Sequence, residues 1–87
     1  MTDFLTGAEA LELKVGDRVA FPNGADAYPD FYISERIEGT VSAIEKYSVW
    51  VRCDKHFTDL DEWDNQVEAW IYENDTDYGT SHPMIRI

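Results

Sequence analysis

The chain reads as an all-β domain: a small barrel of five or so strands, with a short N-terminal helix and a helical turn near residues 58–64. Three observations lead there. Two aromatic-rich segments, Tyr47-Ser-Val-Trp-Val-Arg-Cys53 and Val67-Glu-Ala-Trp-Ile-Tyr72, alternate with the period of two that belongs to a pleated strand. Glycine and proline at Gly16, Pro22, Gly24, Pro29 and Gly39 divide the rest into short patterns. Finally, 87 residues give one domain with a single core, and 44% hydrophobic content with twelve aromatics is too apolar for a disordered chain despite a net charge of −11.

Each element follows from local chemistry. Thr6-Gly-Ala-Glu9 has the spacing of a capping box and predicts a helix of little more than one turn, from Gly7 to about Leu11. Lys14-Val-Gly-Asp17 is a turn, with Gly16 free to take positive φ, and Arg18-Val-Ala-Phe21 is the first strand. Residues 22–35 read as a long loop holding Tyr28, Phe31 and Tyr32, folded over one mouth of the barrel. A strand then runs from Ile37 to Glu45, with a bend or bulge expected at Gly39. After a turn at Glu45-Lys46 comes Tyr47–Cys53, which points Val49, Val51 and Cys53 one way and Ser48, Trp50 and Arg52 the other. In the next strand Val67, Ala69 and Ile71 share the inner face, opposite Glu68, Trp70 and Tyr72. Pro83–Ile87 supplies a closing strand.

The outer face thus carries Trp50, Trp70 and Tyr72, and two accounts of it stand open. Either the N-terminal segment (Phe4, Leu5, Leu11) or the 22–35 loop covers it, or it is an exposed aromatic surface of the kind that meets a partner.

The run Val15-Gly-Asp-Arg-Val19, then Gly39-Thr-Val41, then Val49-Trp-Val51, resembles the opening strands of SH3-like small barrels, including KOW and CAP-Gly domains. The likeness covers residues 15–53 and implies the fold. The basic residues with which KOW domains meet RNA are missing, as is the Gly-Lys-Asn-Asp-Gly signature of CAP-Gly domains, so neither activity is implied.

Charge limits the partners. With 18 acidic and 7 basic residues the chain repels phosphate backbones and anionic lipid, and its natural counterparts are cationic protein surfaces. Cys53 stands alone, so no intramolecular disulfide forms and a reducing, cytoplasmic setting is expected. Met1-Thr-Asp-Phe-Leu has neither the basic region nor the apolar run of a signal peptide.

The acidity is concentrated. Asp54, Asp59, Asp61, Glu62, Asp64, Glu68, Glu73, Asp75 and Asp77 lie within 24 residues against Lys55 alone, a local charge of −8. In a helical turn beginning near Thr58, Leu60 and Trp63 share a face and anchor it, leaving Asp59, Asp61, Glu62 and Asp64 in water. Crowded carboxylates repel one another, and a cationic partner relieves that repulsion. In size and charge the chain resembles the small acidic inhibitors with which phages and mobile elements occupy the nucleic-acid sites of restriction, CRISPR and repair enzymes. That resemblance implies a DNA mimic whose partner-binding residues are these nine carboxylates with Trp50, Trp63, Trp70 and Tyr72. The alternative is an adaptor that binds a peptide through its aromatics, the charge being incidental.

Catalysis and metals find less support. Cys53-x-x-His56 offers two zinc ligands and His82 a third, but nothing completes the set, and both histidines are expected at the surface. An EF-hand count from Asp59 places Asp64 where glycine belongs and Trp70 where glutamate belongs. No glycine-rich phosphate loop is present, and Cys53 points into the expected core, away from a base. No cofactor and no enzymatic activity are expected.

Overall fold

A five-stranded antiparallel sheet forms the body of the computed structural model, which describes residues 4–22, 25–27, 31–33, 35–72 and 79–87. In chain order the elements are α1 (Gly7–Leu11), β1 (Arg18–Phe21), β2 (Ala25–Ala27), β3 (Phe31–Ile33), β4 (Ile37–Ile44) and β5 (Ser48–Cys53). A 3-10 helix, η1 (Thr58–Trp63), then precedes β6 (Gln66–Trp70) and β7 (Ile85–Arg86). The sheet order is β6-β5-β4-β1-β7, and β2 and β3 pair separately as an antiparallel hairpin. No helix among the described residues is long and apolar enough to cross a membrane.

The predicted helix forms as read. The Thr6 hydroxyl accepts from the Glu9 amide at 3.2 Å while the Glu9 carboxylate accepts from the Thr6 amide at 3.0 Å. One turn is too short to persist alone, and packing supplies the rest: Gly7 and Ala10 are buried, and Leu5 and Leu13 on either side enter the core. The turn before β1 is closed by the Asp17 amide on the Lys14 carbonyl, with Gly16 at φ +100°.

Alternation then decides what is inside. Val19 and Phe21 of β1, Val41 of β4, Val49, Val51 and Cys53 of β5, and Val67 and Ala69 of β6 form one buried cluster. It is completed by Leu60 of η1, Ile71 and Met84. The inner face expected for β5 and β6 is therefore the observed one.

Two expectations need correction. Residues 22–35 are not a plain loop, because β2 and β3 pair there with Asp26 opposite Tyr32. Each strand is three residues long, too short to show a period in the sequence. The irregularity in β4 also lies elsewhere: the register with β5 shifts between Val41 and Ala43, not at Gly39. Gly39 instead permits close strand approach, since a Cβ there would stand 2.5 Å from the Arg52 carbonyl oxygen and 2.7 Å from Val51 Cγ1.

The C-terminal segment touches both edges of the sheet. Near its start the Tyr72 amide donates to the Gly79 carbonyl and the Ser81 amide to the Trp70 carbonyl, extending the β6 edge. At its end β7 pairs with β1, Val19 opposite Arg86 and Ala20 opposite Ile85. Between these the N-terminal segment is tied in, with the Leu5 amide donating to Met84 and the Gly79 amide to Leu5.

Candidate functional site

The η1 corner is built on Leu60 and Asn65. Leu60 is fully buried and pins η1 to the core. The chain leaves η1 through two successive left-handed residues, Asp64 (φ 57°) and Asn65 (φ 59°), the conformation that aspartate and asparagine tolerate best among residues bearing a Cβ. Asn65 then staples the corner. Its Oδ1 accepts from the Phe57 amide at 2.9 Å, and its Nδ2 donates to the Cys53 and Lys55 carbonyls at 3.1 and 3.0 Å.

Trp63, at the end of η1, stacks on Trp50 of β5 with ring centroids 6.1 Å apart and planes 24° from parallel. The two anchors thus divide their work. Leu60 goes to the interior, whereas Trp63 stays 37% exposed and shields the outer side of β5. The Trp50 indole donates from Nε1 to Glu45 Oε1 at 2.9 Å. A shallow groove of about 320 Å³ runs beside the pair, lined by Ala43, Glu45, Trp50, Glu62, Trp63 and Asp64 among others.

The outer aromatic face is partly covered and partly exposed. Leu5 of the N-terminal segment belongs to the interior cluster, Phe4 is half-buried and Leu11 is exposed, while Trp63 of η1 stacks on Trp50. Trp70 and Tyr72 remain 45% and 50% exposed, and Tyr47 is equally open. Tyr28 and the side chains of Phe31 and Tyr32 lie outside the described residues.

The carboxylates do not form the unbroken array that their sequence spacing suggests. Asp54 is held by Arg18 through both oxygens, and Asp64 accepts from Arg52 Nη2 at 2.7 Å. The reason is the strand register. Arg18 of β1 faces Thr40 of β4, which faces Arg52 of β5, so an outer rung of the sheet presents two guanidinium groups to the acidic corner. Asp61 Oδ1 lies 2.6 Å from His56 Nε2. Glu68 is a clear correction: it lies opposite Trp50 in the β5–β6 register and is only 6% exposed. Asp59 and Glu62 are exposed and make no ion pair among the described residues. Glu73, Asp75 and Asp77 lie outside the described residues.

Electrostatics follow the same geometry. The hydrogen bonds from Arg18 hold the Asp54 carboxyl below its ordinary range, against a smaller opposing effect of desolvation, and the same pairing raises the Arg18 guanidinium. Burial pushes the Cys53 thiol up to about 11, and the neighbouring Asp54 charge adds to the shift. Cys53 is thus an inert core thiol, while His56 three residues on is exposed. His82 is buried, contrary to the surface position expected for it. Among the described residues no three His, Cys, Asp or Glu side chains converge as metal ligands would.

What sequence reasoning missed were the partners: Arg18, Arg52 and His56 for the carboxylates, Glu45 for Trp50, and Asn65 as the staple. The Arg18–Asp54 contact spans 36 positions, and only strand register brings it about. Asn65 left one faint signal, an Asp-Asn dipeptide between a helical turn and a strand. The chain shows no significant match to protein-family models, to curated proteins or to solved structures.

Proposed function

We propose that this chain is a non-enzymatic protein-binding module, an SH3-like barrel that uses the acidic side around η1 to engage a basic partner. The sheet order and the C-terminal segment bonded to both sheet edges support the barrel reading. One observation carries the functional reading. Arg18, Arg36, Arg52, Lys55 and Arg86 are each engaged by a carboxylate of the same chain, yet Asp59 and Glu62 of η1 stay exposed and unpaired among the described residues, Glu62 beside the Trp50–Trp63 stack. Internal pairing has used five of the seven cations without silencing this corner. The sharper form of the proposal is an inhibitor of phage or mobile-element type. Its carboxylates stand where phosphates would in the basic cleft of a nucleic-acid-binding host or defence protein.

The exposure of Trp70 and Tyr72 favours a second reading, an adaptor that binds a peptide through surface aromatics. Salt and competition separate the two. For the acidic mode, capture of the partner collapses between low and high ionic strength, DNA or RNA displaces the chain, and Asp59→Lys with Glu62→Lys abolishes binding. For the aromatic mode, binding tolerates salt and is lost with Trp70→Ala instead. Full binding by the double lysine variant in high salt overturns the proposal.

A further inference from the structure

The groove beside the tryptophan pair has a chemistry of its own. Two stacked indoles, Trp50 and Trp63, supply its apolar surface, and three carboxylates, Glu45, Glu62 and Asp64, stand among its lining residues. No basic residue is among its described lining residues. Arg52 is engaged by Asp64, and Glu45 and Glu62 make no ion pair among the described residues. Glu45 also accepts the Trp50 Nε1 proton, a hydrogen bond that pushes electron density into the indole and strengthens the attraction of its face for a cation. A shallow groove that sets indole surface beside carboxylates suits a group that is flat, weakly hydrated and positively charged.

We infer that this groove is an arginine-reading site, which takes the guanidinium of a basic partner against Trp50 and Trp63 with Glu62 as counter-charge. Guanidinium fits better than ammonium. It stacks on indole through its plane and still offers N–H donors at its edge to a carboxylate, whereas ammonium is a compact and strongly hydrated charge. The site deepens the acidic-surface reading by naming the side chain that anchors the partner, and its test needs no partner protein.

The ¹⁵N-labelled full chain is titrated with acetyl-Gly-Arg-Gly-amide while the indole Nε1–H signals of its three tryptophans are followed. Saturable shifts are expected at Trp50 and Trp63, with Trp70 as the unmoved internal reference. The citrulline peptide, matched in shape but uncharged, produces no saturable shift, and the lysine peptide binds more weakly than arginine. Glu62→Gln, an exposed change that leaves the core untouched, weakens arginine binding roughly fivefold. Equal binding of the citrulline peptide, tighter binding of lysine, shifts centred on Trp70, or silence at Trp50 and Trp63 would each overturn the assignment. The two proposals fail separately. Salt-sensitive capture of a basic protein with no arginine-peptide response rejects the groove and keeps the surface. Arginine binding that persists while the Asp59→Lys, Glu62→Lys variant still captures its partner in high salt rejects the surface reading.

Discussion

Both carboxylate oxygens of Asp54 are gripped by the Arg18 guanidinium, Oδ1 2.7 Å from Nη1 and Oδ2 2.5 Å from Nη2, joining β1 to the end of β5. Arg18 Nη1 also donates to Thr40 Oγ1 at 2.9 Å, so the fork is held on the sheet between two strands. Because the Asp54 pKa is lowered in the folded state, the pair stabilises the fold at neutral pH and that contribution is lost as pH falls through the folded value. An NMR titration should find Asp54 below the ordinary aspartate value of roughly 3.9. The stability gap between the wild-type chain and Asp54→Asn should be present at pH 7 and close in strong acid. A gap that widens on acidification contradicts the pairing.

Asn65 is expected to be the most sensitive polar residue of the η1 corner. Asn65→Ala removes the partners of the Phe57 amide and of the Cys53 and Lys55 carbonyls, and it places alanine at φ 59°. Chemical denaturation should show a loss of about 2–4 kcal/mol, combining lost hydrogen bonds with backbone strain. Asn65→Gly keeps the left-handed backbone and should cost less. If the two variants are equally stable, backbone conformation is not part of Asn65's role.

Gly79 packs against the first turn of α1, where an added Cβ would overlap the backbone of Thr6 and Gly7. Gly79→Ala should therefore destabilise the fold by about 1–3 kcal/mol, the usual range for an overpacked contact. Amide hydrogen exchange at Leu5 and Ala10, whose amides donate to Met84 and Thr6, should accelerate with it.

Cys53 should resist thiol reagents. With the thiol buried and its pKa pushed up to about 11, Ellman's reagent at pH 8 should react with the unfolded chain and barely with the native one. Rapid labelling under native conditions would place Cys53 at the surface.

Reversing charge at the acidic corner should separate binding from stability. Asp59→Lys with Glu62→Lys removes two acids that make no ion pair among the described residues from a chain of net charge −11. Thermal stability is expected to rise or hold as self-repulsion falls, and partner capture to be lost. For the same reason, added salt should raise the melting temperature of the wild-type chain and lift the double variant less.

The elements of this fold that depend on neighbours in sequence were legible without coordinates. The Thr6–Glu9 capping box, the Gly16 turn, the inner faces of β5 and β6, the turn at η1 and the buried thiol of Cys53 all rest on contacts within a few residues or on a strict period of two. Strand register decided the rest, because it brings together side chains that no local pattern relates. It set Arg18 against Asp54, it placed Glu68 opposite Trp50, and it brought the C-terminal segment against both β6 and β1. Charge could be counted along the chain; whether a given carboxylate faces an arginine or open water is a property of the folded surface.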